Sequence, residues 1–141
     1  LASNESSDTE SLKEYIPKDE TFDTWTKLAS VHVFKQVNDP LAAAQALDKE
    51  LKKKYPDAHS RIIQNPDTGE VIIDFLILAP DHAFAEWNVM KYDKAKDGGT
   101  VVYQYALRAY GEKITDFLKG LKDERIRLVD LMAKDGLAVS R

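Results

Sequence analysis

Val71-Ile72-Ile73-Asp74-Phe75-Leu76-Ile77-Leu78 is apolar at every position except Asp74. Successive side chains of a strand face opposite sides of its sheet. A strand with one wet face would alternate apolar and polar residues. This one does not, so it reads as a central strand covered on both faces. Before it, Asn65-Pro66-Asp67-Thr68-Gly69-Glu70 is a hairpin connection: Pro66 presets φ and Gly69 suits the left-handed position. After it, Ala79-Pro80-Asp81-His82 turns the chain. A further strand carries Ala85, Trp87 and Val89 on one face. Lys96-Asp97-Gly98-Gly99 makes another tip. In the strand that follows, Val101, Tyr103, Tyr105 and Leu107 share a face. These readings predict a four-strand meander over 58–65, 71–79, 84–92 and 100–109.

A long amphipathic helix is predicted next, over 112–134. Ile114, Phe117, Leu118, Leu121, Leu128, Val129 and Met132 form its apolar stripe. Gly120 in its middle reads as a close contact with the sheet, and Gly136 as its cap. Upstream, Asp39-Pro40 is a strong helix start, with Asp39 as cap. Leu41, Ala44, Leu47 and Leu51 mark one face of that helix, Lys52-Lys53-Lys54 suits the negative end of its dipole, and Pro56 closes it. Residues 28–37 read as a strand, with Ala29, Val31 and Val33 alternating with Ser30, His32 and Phe34. Tyr15-Ile16-Pro17 reads as a short edge strand. Thr21 to Thr26 reads as a capped helical turn in which Phe22 and Trp25 share a face.

The first ten residues, Leu1-Ala2-Ser3-Asn4-Glu5-Ser6-Ser7-Asp8-Thr9-Glu10, are small, polar and acidic. They lack an apolar period, so residues 1–11 read as a flexible tail and 12–141 as a single domain. Such tails often tether an exported domain to a membrane anchor. Leu1-Ala2-Ser3 looks like the residues before a lipoprotein cleavage site, but Asn4 stands where the lipidated cysteine would be. A trimmed linker is the alternative reading.

The chain has 141 residues, 43% hydrophobic and 31% charged, which fits one globular domain. Its net charge of -4 argues against general nucleic-acid binding. It has no cysteine, which excludes disulfides, thiolate metal sites and cysteine nucleophiles. His32, His59 and His82 show no metal-binding spacing, and no G-x-S-x-G is present. Gly98-Gly99 lacks the length and following helix of a phosphate loop. No cofactor and no metal are expected.

Asp74 is the residue that does not fit its surroundings, since a carboxylate among apolar neighbours is costly unless paired or hydrated. Arg108 is the expected partner. The functional reading makes Asp74 a polar anchor or a raised-pKa acid in a ligand pocket; the structural reading makes it an ion pair. Trp25, Trp87, Tyr103 and Tyr105 read either as core or as an aromatic platform. The candidate ligand-binding residues are therefore Asp74, Arg108, Trp87, Tyr103 and Tyr105.

The order strand, helix, four-strand meander, long helix resembles the Mog1/PsbP-like α/β/α sandwich. Tyr15-Ile16-Pro17 with Glu20-Thr21-Phe22-Asp23-Thr24-Trp25-Thr26 also resembles the start of secreted bacterial proteins of this fold. The resemblance implies an α+β fold, an antiparallel sheet of five or six strands with helices on both faces. A cystatin-like sheet leaves the last helix unexplained. A Bet v 1-like grip calls for more strands and a cavity. The fold's better-known members are non-catalytic accessory proteins, so the resemblance implies a secreted or envelope-associated domain that acts by contact with a protein partner. The alternative is a small-ligand carrier with its pocket between the sheet and the last helix.

Overall fold

The computed structural model describes residues 1–96 and 98–135. Among these, seven strands form one antiparallel sheet. They are β1 (Ser3–Ser6), β2 (Glu10–Tyr15), β3 (Lys27–Phe34), β4 (His59–Gln64), β5 (Val71–Leu78), β6 (Phe84–Lys94) and β7 (Thr100–Tyr110). Helix α1 (Pro40–Lys54) separates β3 from β4. A 3₁₀ turn, Gly111–Lys113, leads into helix α2 (Ile114–Asp135). The strand order is β1-β2-β3-β7-β6-β5-β4. The last four strands are the expected meander, and β3 pairs with β7 from Lys27 opposite Leu107 to Phe34 opposite Thr100. The fold class is α+β, as expected. The expected Gly136 cap lies outside the described residues, as does Asp97 of the last hairpin tip.

Seven strands replace the expected five or six because residues 1–11 are not a tail. Ser3–Ser6 pairs with Ser11–Glu14 as a hairpin, and Ala2 N donates to Glu14 O at 2.7 Å. Ser7 shapes the turn: its Oγ accepts from the backbone N–H of Thr9 and Glu10. Lys35 N donates to Thr9 O at 2.8 Å, which ties the hairpin to the end of β3. Backbone pairing, not burial, places this segment, so it carries no apolar period. The expected short strand at Tyr15 is the end of β2.

Local signals elsewhere act as read. Asp39 Oδ1 accepts from Ala42 N at 3.2 Å and caps α1, and Pro40 fills the first turn. Gly69 has φ +77° in the β4–β5 hairpin, where Asn65 Oδ1 accepts from Asp67 N. Gly99 is required twice over. Its φ is +86°, and a Cβ there would collide with Phe34 O. Gly120 is different: it is exposed, and a Cβ would meet nothing within 4 Å, so it marks no close contact. Thr21 to Thr24 is a β-turn, not a helical turn. Trp25 is buried, but Phe22 is 49% exposed.

Two apolar clusters divide the side chains of β5. Val71, Ile73, Phe75 and Ile77 pack with Ala44 and Leu51 of α1, together with Tyr92 and Val102. Ile72 packs with Leu121, Leu128, Val129 and Met132 of α2, together with Trp87 and Val89, and Leu76 joins them. A smaller cluster of Trp25, Leu28 and Ala106 sits under the loop between β2 and β3. Burying apolar area at about 25 cal/mol per Å² is what holds such a sheet to its helices.

Candidate functional site

Asp74 is 3% exposed, in the middle of β5. Its expected partner, Arg108, is on β7, and β6 lies between the two strands. Asp74 is held instead by arginines of β4 and α2. Arg125 Nε donates to Oδ1 at 2.6 Å and Nη2 to Oδ2 at 3.3 Å. Arg61, directly opposite on β4, brings Nε to 3.6 Å from Oδ2. Trp87 Nε1 stands 3.5 Å from Oδ1. Two guanidinium groups thus face one carboxylate, and no histidine is among its hydrogen-bond partners. The arrangement ties β4, β5 and α2 at one point. Hairpin register was the signal for Arg61: with Gln64 opposite Val71, Arg61 falls opposite Asp74. Arg125 had no comparable signal, because it reaches Asp74 only through the packing of α2.

Arg108 closes a different array. Glu86 is its cross-strand neighbour on β6. Arg108 Nε donates to Glu86 Oε1 at 2.9 Å, and Nη2 donates to the same oxygen. The other Glu86 oxygen accepts from Asn88 Nδ2 at 2.8 Å. Asn88 Oδ1 accepts from Gln104 Nε2 at 2.7 Å, and Gln104 Oε1 accepts from Ser30 Oγ at 2.9 Å. This polar ladder crosses β3, β7 and β6, and Ser30 and Asn88 are buried within it. The Arg108 guanidinium lies 4.4 Å from the Trp25 ring centre and 4.1 Å from that of Phe84. Burial works to lower the Arg108 pKa, but hydrogen bonds and charge from Glu86 and Tyr110 outweigh it, and the net shift is upward. Among the described residues no buried side-chain nitrogen or oxygen lacks a partner. Both acid–arginine arrays are therefore closed.

Tyr103 and Tyr105 pack at the margin of the α2 cluster and stay partly exposed. Trp87 is 1% exposed inside it, and Trp25 lies buried in the separate small cluster. The five candidate residues thus do not converge. Asp74 and Trp87 meet, the tyrosines lie at the edge of that core, and Arg108 belongs to the ladder.

Tyr103 also lines a groove that sequence reading missed. Val31 and Val33 of β3, with Val101 and Tyr103 of β7, form its floor. Lys35, Asp93, Lys94 and Lys96 stand around it, and its volume is about 650 Å³. The strand register explains the floor: Val31 is opposite Tyr103, and Val33 is opposite Val101. A smaller groove of about 250 Å³, lined by His59, Leu76, Leu78 and Leu118, lies between β4, β5 and α2. Of the remaining histidines, His32 Nε2 is 2.9 Å from Glu10 Oε1, and His82 takes φ +60° in the β5–β6 turn. Among the described residues no group of three or more acids and histidines could hold a metal ion. No helix there is long and apolar enough to cross a membrane.

No curated protein matches the chain. A protein-family model matches residues 1–136, nearly the whole chain. The chain therefore belongs to the family that this model defines, and the match itself assigns no activity, ligand or partner.

Proposed function

We propose that this chain is an α/β/α sandwich of the Mog1/PsbP-like type, acting without catalysis as a secreted or envelope-associated interaction domain. Its α1 cluster and its α2 cluster draw on alternate residues of β5, which supports the layered reading. The observation that carries the functional reading is the groove over β3 and β7. Its floor is apolar and lies on the paired strands β3 and β7, and lysines stand at its rim with Asp93. A rigid apolar surface with a polar rim is the usual anatomy of a protein-binding patch. The secreted or envelope location rests on the resemblance read in the sequence.

The second reading is a small-ligand carrier. The groove volume favours it, since ligand sites commonly span about 300–1,000 Å³. Tyr103 would then orient the ligand. A photoreactive amino acid at Val33, with a control at exposed Lys119 on α2, separates the two. A discrete protein adduct from Val33 alone, formed in the source cell, is the result expected for an interaction domain. A co-purifying small molecule, seen by native mass spectrometry and lost in Val33→Asp, would replace that reading with the carrier. Neither adduct nor bound molecule would defeat both.

A further inference from the structure

We infer that β4 is a self-pairing edge, through which two copies of this chain join their sheets into one. Among the described residues β4 pairs with β5 alone and stands last in the strand order. No other described strand meets its outer backbone N–H and C=O groups. Proteins usually blunt such an edge with charged side chains, lysine above all, or with proline, a bulge or short length. The opposite edge follows that rule: β1 is four residues long, polar and acidic, Ser3-Asn4-Glu5-Ser6. The β4 edge is less protected: in His59-Ser60-Arg61-Ile62-Ile63-Gln64 the one charge, Arg61, is drawn to Asp74, there is no proline, lysine or acid, and Ile63 is 43% exposed beside the open edge. Leu78 and Leu118, 43% and 40% exposed, line the groove that begins at His59. Several of the chain's exposed large apolar side chains thus lie at or near this one edge.

The register of the pair follows from geometry. Directly opposed residues of antiparallel strands point to the same face. Two copies that keep the same helix on the same side must therefore share a two-fold axis that passes between the two copies of one β4 residue. An axis at Arg61 would set guanidinium against guanidinium. An axis at Ile62 sets isoleucine against isoleucine, Arg61 against the second copy's Ile63, and Ser60 against its Gln64. No like charges face each other in that register, which engages residues 60–64 of each copy. Ile62 already packs against the α1 cluster, so its pairing would join the two cores. This fit of β4 to itself favours a second copy over an unrelated extended peptide.

Sedimentation velocity on the full chain is expected to show a dimer that dissociates on dilution. Ile63→Lys places a lysine opposite the second copy's Arg61 twice over, and should weaken the dimer by about tenfold or more. Ile63 is exposed, so the circular dichroism spectrum and melting temperature should hold. Because the chain lacks cysteine, Ile62→Cys gives a cross-link at the axis under mild oxidation, whereas Ser60→Cys, away from the axis, should not. A chain that stays monomeric at NMR concentrations overturns the proposal. So does a dimer indifferent to Ile63→Lys, or one cross-linked equally well at Ser60→Cys. None of these outcomes depends on what the groove over β3 and β7 binds.

Discussion

The two halves of the sheet are built to different rules. β5 and β6 lie against α1 and α2, and β5 is almost wholly buried. β1, β2 and β3 carry little helix packing, and their side chains are mostly exposed or half-buried. In the first half, burial of apolar surface holds the strands. In the second, ladder hydrogen bonds and a few side-chain ties do so. The covered half therefore supplies stability, and the open half supplies accessible surface. Function on the open half can change with little cost to the fold.

The largest effect is expected deep in the covered half. Trp87→Ala should cost about 3–5 kcal/mol in urea denaturation, because its ring fills the core between β6 and α2. A cost below that of a surface change would erase the contrast between the halves. The polar ladder runs from Ser30 on the open side to Glu86 on the covered side. Arg108→Ala would leave the Glu86 carboxylate without its cation, at a cost of roughly 2–4 kcal/mol by the same measurement. Arg108→Lys should recover only part of this, since lysine lacks the planar fork that stacks on Trp25 and Phe84.

Removing residues 1–9 deletes β1 and the Thr9 tie to Lys35. A loss near 1 kcal/mol is expected, seen as a fall of roughly 3–4 °C in melting temperature. A much larger fall would make the hairpin part of the core architecture. Tyr92 probes the covered half by titration. Burial raises its phenol pKa above the ordinary value. Because the folded value is the higher one, the neutral phenol's contribution is complete below about pH 10 and is lost as pH rises beyond that point. Stability should fall above that pH, and less steeply in Tyr92→Phe. The smallest effect is expected in the groove. Val33→Asp should change stability by under about 1 kcal/mol while removing any adduct formed there.

What the sequence made legible follows the same division. Val71–Leu78 announced itself because a strand buried on both faces has no polar face to place. Asp39-Pro40 and Asn65 to Glu70 were readable because caps and turns are local chemistry. The β1–β2 hairpin was not, since Ser3, Asn4 and Glu5 take part through their backbones and leave no periodic trace. Asp74 stood out as a misfit, yet its principal partner did not. Arg125 lies 51 positions away on a helix whose docking angle no local pattern encodes. The groove was missed for a related reason. Val31, Val33, Val101 and Tyr103 read as ordinary strand faces, and only the placement of α2 decides that these are left uncovered.

The pairing of β3 with β7 also sets a schedule. Phe34 meets Thr100 and Lys27 meets Leu107, so β3 waits for a strand made roughly seventy residues later, some 4–14 s at typical synthesis rates. Until then β3 and the β1–β2 hairpin are a nascent segment without a sheet to join. The meander from β4 to β7 depends only on neighbours and is free to assemble first as its residues emerge. The N-terminal quarter of the chain is thus made first and docked last, and a stalled or truncated product ending before β7 would expose Leu28, Val31 and Val33 to any chaperone or protease nearby.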